Sequence, residues 1–317
     1  MSNALPQNCK RLQGVRSADT ADGMSANRLR NVLPYLQLVR LPNIFTAVAD
    51  ILAGYSLVRG LSINLHDLFC LMLASACIYG GGCALNDVRD FEIDRAERPH
   101  RPIPSGAVSR RAALTLSIIL LGLGWSVAFL VSRSTFFVAG LLVALVVFYD
   151  CLSKDMPFLG SLTMSACRGA NLALGMLPGM PFSFLIVFPF ITIGYVFWLT
   201  ALSKFETCGA PKLYPAIISA GILLVLSVPA CLVVAGYLSV HALIALGGLL
   251  MIVAPPLIGW IRQPIPDRAG RAVKFMVLAI PVLDSVYVMG VQNWILALPV
   301  LFCAGLALGL AKFMAVS

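Results

Sequence analysis

Asp87, Asp90 and Asp94 stand at i, i+3 and i+7 at the polar end of a long apolar run, with Asn86 directly before them. At about 100° per residue, these positions on one helix fall within an arc of about 60°. Three carboxylates on one face repel one another unless a cation neutralises them. Hard oxygen donors of this kind suit Mg²⁺, which takes one or two carboxylates and completes its shell with water and substrate phosphates. Arg95, Arg98 and Arg101 follow, and guanidinium groups can take the remaining charge of a phosphate ester in bidentate fashion. Pro99, Pro102 and Pro104 stiffen the exit. The competing reading is a membrane-surface loop whose acids and arginines merely pair with each other.

The elements that must position these residues are membrane helices. With 59% hydrophobic and 12% charged residues over 317 positions, the chain reads as a polytopic membrane protein. The expected fold is an all-α bundle of nine or ten transmembrane helices, in pseudo-repeated four-helix halves around a central cavity. Apolar segments long enough to span fall near 42–60, 67–85, 110–131, 135–151, 159–177, 183–202, 215–236, 240–260, 272–291 and 293–314. Basic residues cluster before the first segment and after the second, fourth, sixth and eighth, while the opposite loops hold Arg59 and Arg133. The positive-inside rule then predicts that both termini and the acid-rich loop are cytoplasmic. That distribution accounts for the net charge of +9 without a nucleic-acid partner. Residues 1–33 read as a disordered cytoplasmic tail lacking the apolar core of a signal peptide, leaving 34–317 as the membrane domain. The nine cysteines include no C-x-x-C pair, and Cys70, Cys77, Cys167, Cys231 and Cys303, inside apolar spans, are expected as buried, reduced thiols. His66, His100 and His241 are isolated, so no zinc site is expected. Neither a Rossmann fingerprint nor a phosphate-binding G-x-x-x-x-G-K-[ST] loop occurs.

The stretch NDVRDFEIDRAERPHRPIPSG resembles the first aspartate-rich motif of the UbiA superfamily of intramembrane prenyltransferases, N-D-x-x-D-x-x-x-D followed by R-P-x-R-P-I-P-x-G. VRLPNIFTAVADILAGY resembles that family's first span, and YDCLSKDMPFLGSLTMSACRGANLALG its signature from the fourth span to the fifth. The resemblance implies that Asp87, Asp90 and Asp94 hold Mg²⁺ against a prenyl diphosphate, beside Asn86. It also implies that Tyr149 and Lys154 contact the diphosphate, and that Arg168, Asn171 and Asn43 are polar positions facing an interior pocket. Mg²⁺-dependent transfer of the prenyl group to an acceptor within the membrane follows as the expected activity, near the cytoplasmic face. A prenyl-lipid binding or transport protein is the alternative.

The resemblance breaks after the sixth span. Family members usually carry a second acid motif there, whereas this chain has LTALSKFETCGAPKLY, in which Glu206 is the one acid between Ser203 and Thr207. Asp87 and Ser203 are 116 residues apart, consistent with a repeated half whose second copy lost its acids. Lys204 substituting its charge for a second metal, Glu206 holding one weakly, and binding without transfer are the three readings. The departure resembles an EboC-like branch of the superfamily.

Two further acids fall inside predicted spans, Asp50 in the first and Asp284 in the ninth. An ionisable group within a membrane span is a functional candidate by default. Asp50 is read as lining the acceptor side of the cavity, and Asp284 as either a helix-pairing or a functional residue. GMLPG at 175–179 has the small-x-x-x-small spacing of close helix packing.

Overall fold

The computed structural model describes residues 32–179 and 184–316, with side chains described to residue 312. The disordered tail expected at 1–33 therefore lies almost wholly outside the described residues. Helices follow one another with no strand among the described residues: α1 (Leu41–Arg59), α2 (Leu65–Arg89), α3 (Phe91–Glu97), α4 (Arg110–Ala128) and α5 (Arg133–Phe148). After a π turn (Tyr149–Ser153) come α6 (Pro157–Met176), α7 (Val187–Ser203), α8 (Leu213–Val234), α9 (His241–Arg262), α10 (Pro266–Leu278), α11 (Ile280–Val291) and α12 (Ala297–Val316). Among the described residues nine helical stretches are long and apolar enough to cross a membrane, the π turn and the α10–α11 pair being counted within their stretches. The segment predicted at 159–177 is helical as α6 but is not among the nine. Its Arg168, Asn171 and Ser/Thr residues face inward: Ser161, Ser165, Arg168 and Asn171 are all buried. The segment predicted at 272–291 begins earlier, at Pro266, and is divided at Ala279 just before Pro281, since proline cannot continue the hydrogen-bond ladder of the preceding turn.

α1 is the hub. It packs against α2, α6, α11 and α12, so that the last helix returns to the first. Contact between α1 and α6 is close enough to require glycine on both sides. A Cβ on Gly54 would stand 2.4 Å from Leu172 O, and one on Gly175 would stand 2.7 Å from Ile51 O. Gly179 likewise abuts Val58, so the small-residue spacing at 175–179 serves packing. The large apolar cluster joins α1, α6, α7, α9, α11 and α12, and a second joins α1, α2, α4 and α5. A third, smaller cluster of Leu38, Ala84, Val88, Ile103, Val108 and Ala113 seats the acid-rich loop on the end of the bundle.

Candidate functional site

The three aspartates do not share one helical face. α2 ends at Arg89, Asp90 leaves helical geometry at φ −83°, ψ 4°, and α3 restarts at Phe91. Mutual repulsion along an uninterrupted face is thereby avoided. Asp87 and Asp94 are buried and turn to a common partner: Arg101 Nη1 lies 2.6 Å from Asp94 Oδ2 and 3.4 Å from Asp87 Oδ1. Arg40, at the start of α1, places Nη2 3.1 Å from Asp87 Oδ1. Asp90 instead forms an ion pair with Lys154, which follows the π turn. Three acids thus meet three cations drawn from three segments of chain.

Other predicted residues divide between this cluster and elsewhere. Asn86 Nδ2 donates to Asp150 Oδ1 at 2.9 Å, and Tyr149 neighbours Asp150, Asp90 and Arg40. Arg95 is exposed. Arg98 is half-buried and faces a cleft of about 640 Å³ shared with Glu206, Asp267, Arg271 and Lys274. Glu206 is pushed above the usual carboxylate range by burial, opposed by Arg98 and Arg40. Lys204 donates from Nζ to Met156 O at 3.2 Å, and burial lowers its pKa against the pull of Asp155. The electrostatic partners of Glu206 are therefore arginines, and Lys204 leans on the loop that carries Lys154. Asn43 is half-buried beside Tyr79. Arg168 and Asn171 lie deeper, in a buried polar cluster with Asp50.

Two participants were not singled out from sequence, Arg40 and Asp150. Arg40 reaches its partner across 47 positions, a separation no local pattern marks. Asp150 sits in the π turn, where Arg89 bonds the carbonyls of Asp150 and Cys151. Single π turns inside helices are frequent at functional sites, but their backbone geometry leaves no composition signal.

Among the described residues no three His, Cys, Asp or Glu side chains converge on one point. Two carboxylates do converge, on Arg101 Nη1, which lies between Asp87 and Asp94. An all-oxygen pair of this kind fits the demand of Mg²⁺ for one or two carboxylates.

These features define a class: a polytopic α-helical membrane protein with an acid- and arginine-rich loop site at one end of its bundle. The model of the UbiA prenyltransferase family matches residues 47–316, and the chain belongs to that family. It is 38% identical over 142 residues to a digeranylgeranylglyceryl phosphate synthase of Metallosphaera sedula, covering 45% of this chain and 50% of that protein. Its counterpart in Methanothrix thermoacetophila is 36% identical over 148 residues, covering 47% and 55% respectively. The chain thus spans about half the length of the curated relatives it matches. A UbiA homologue from Aeropyrum pernix K1 shares the fold at a TM-score of 0.62 and 16% identity, covering 76% of this chain and 97% of that one. A solved structure described for digeranylgeranylglyceryl phosphate synthase aligns at a TM-score of 0.62 and 17% identity, over 82% and 98%.

Proposed function

We propose that this chain transfers a prenyl group from a prenyl diphosphate to a hydroxyl-bearing acceptor, in a Mg²⁺-dependent reaction at the cytoplasmic face of the membrane. The observation that carries this reading is the balanced cluster in which Asp87 and Asp94 converge on one guanidinium nitrogen, with Arg40 and Lys154 alongside. Asp87 and Asp94 would hold Mg²⁺, which when bound offsets charge on the diphosphate leaving group. Their release from Arg101 frees that guanidinium for a phosphate oxygen. Lys154 is placed to do the same from the Asp90 side, and Tyr149 and Asn86 flank the site. In the transfer, the acceptor oxygen bonds to the prenyl C1 as the C1–O bond breaks, the electron pair leaving with the diphosphate. The hydroxyl proton passes to the departing diphosphate. The apolar interior excludes water from the allylic centre.

The relatives are named as digeranylgeranylglyceryl phosphate synthases, and a glyceryl product supports the reading of an alcohol acceptor here. The second acid motif is missing, so the chain is read as working with one metal site and with basic groups near Lys204 and Arg98. The test is binding of labelled geranylgeranyl diphosphate to the purified chain in Mg²⁺ and in EDTA, followed by transfer to geranylgeranylglyceryl phosphate. Asp87→Asn should lose Mg²⁺-dependent binding by at least about 10-fold, the scale of one charge-assisted contact worth about 1.5–3 kcal/mol. Parental binding by the variant in Mg²⁺ would refute the assignment.

A further inference from the structure

The cleft beside the loop site carries charge that the proposed transfer leaves idle. Arg98 reaches it from the acid-rich loop, Glu206 from the loop after α7, and Asp267, Gly270, Arg271 and Lys274 from α10. The α10 residues stand at i, i+3, i+4 and i+7 and so share one face of that helix. The opposite face, with Ala269, Ala272 and Met276, is buried and seats α10 on the bundle. Arg268 turns away, toward Gly259 on α9.

In the loop site Arg40, Arg101 and Lys154 are each committed to an aspartate. The cations of the cleft are not. Among the described residues Arg98, Glu206, Asp267, Arg271 and Lys274 make neither an ion pair nor a side-chain hydrogen bond. Three cations therefore face two acids without being neutralised, and burial pushes one of those acids, Glu206, toward its neutral form.

Uncommitted basic residues at a membrane face are commonly no more than orientation signals. These line a recess of about 640 Å³, within the size range of small-molecule sites, instead of standing on a convex surface. Gly270 keeps the recess open: a Cβ there would meet nothing within 4 Å, so packing gives no reason for a residue that weakens a helix interior. The recess also adjoins the proposed diphosphate site. Glu206 feels both Arg98 and Arg40, and Arg40 pairs with Asp87. A phosphate ester matches this lining, because its oxygens accept from guanidinium groups in bidentate fashion and take an ammonium as a point charge. A hydroxyl on the same headgroup can donate to Asp267.

We propose that Arg98, Arg271 and Lys274 form a second anion site, separate from that of Asp87 and Asp94, which takes the phosphate ester of a glycerol headgroup. That phosphate has two sources, the acceptor of the transfer or a phospholipid of the surrounding leaflet. The first source rests on the prenyl-transfer reading and the second does not.

The test follows thermal unfolding of the purified full chain in uncharged detergent with glycerol phosphate, and with glycerol or with sodium chloride of equal ionic strength as controls. Glycerol phosphate should raise the melting temperature where neither control does. The double variant Arg271→Gln, Lys274→Gln, changed at exposed positions, should lose at least about 10-fold in affinity for it, the scale of one charge-assisted contact or more. Gly270→Leu should lose as much by filling the recess with no change of charge, and should one of these variants fail to fold the other decides. Both should bind labelled geranylgeranyl diphosphate in Mg²⁺ as the parent does. If the acceptor brings the phosphate, the KM for geranylgeranylglyceryl phosphate should rise about 10-fold in the variants. If a lipid brings it, that KM stays parental and stabilisation of the parent by phosphatidylglycerol in mixed micelles should be lost in the variants. A parent that glycerol phosphate does not stabilise, parental affinity in a folded variant, an equal loss of geranylgeranyl diphosphate binding, or no change with either source overturns the proposal. Failure of the parent to bind any prenyl diphosphate would strike the prenyl-transfer reading instead, and the glycerol phosphate measurement would still decide the cleft.

Discussion

Replacing Arg101 by Met keeps the aliphatic stem and removes the guanidinium on which Asp87 and Asp94 converge. Asp94 then loses the partner at 2.6 Å, while Asp87 keeps Arg40 at 3.1 Å. Breaking a buried ion pair by removing one partner costs about 3–5 kcal/mol. The Arg101 side chain is 22% exposed and Asp87 remains paired, so the lower end, about 3 kcal/mol, applies. Mg²⁺ should reverse most of this, because it enters between two carboxylates already cleared of their competitor. At 100 times its dissociation constant, a ligand that binds only the folded state adds about 2.7 kcal/mol. In the parent the same ion must first displace Arg101, so its stabilisation by Mg²⁺ should be smaller. Thermal unfolding of the detergent-solubilised chain, in EDTA and across a Mg²⁺ series, reads both effects. Arg101→Met should be strongly destabilised in EDTA and nearly restored at high Mg²⁺. A loss of equal size with and without Mg²⁺ would refute the idea that Arg101 stands where the ion binds.

Lys154→Ala should weaken geranylgeranyl diphosphate binding about 10-fold even at saturating Mg²⁺, one charge-assisted contact being lost, with Lys154→Arg recovering part of it in the same assay. Gly54→Ala should destabilise the bundle by about 1–3 kcal/mol, because its Cβ would press on Leu172 O, whereas Gly122→Ala, with nothing within 4 Å, should be neutral or slightly stabilising on thermal unfolding. For the proposed orientation, cysteine introduced at position 133 in a cysteine-free background should react with an impermeant reagent on intact cells, and cysteine at position 98 should be spared. Labelling in the opposite sense would reverse the topology.

The helices were legible because apolar runs of about 20 residues leave little other choice, and most predicted borders fall within a few positions of the observed ones. α6 shows the limit of that signal: a helix buried by its neighbours tolerates Arg168, Asn171 and hydroxyls and so reads as only half apolar. Acid spacing located the loop site but not its geometry, since the departure from helix at Asp90 is a backbone event. Arg40 was counted only as a cytoplasmic charge. The polar ladder Ser75–Tyr79–Cys83–Asp87 was open to a four-residue periodicity search, yet Tyr and Cys inside an apolar run pass for ordinary core residues.

Arg40 has φ 51°, ψ 54° and is the one non-glycine residue with positive φ among those described. For an L-residue this left-handed conformation costs roughly 1–2 kcal/mol, and strain of that kind concentrates where function holds it. Backbone and side chain therefore make opposing demands on position 40. Glycine or asparagine would relax the chain entering α1, and any scheme that ranks substitutions by fold stability alone will favour them. Either would leave Asp87 with Arg101 as its one guanidinium partner and tilt the charge balance of the loop by one. Position 40 is thus a place where thermostabilisation and catalysis should diverge: a library selected for heat resistance is expected to drift away from arginine there, and one selected for turnover is expected to keep it.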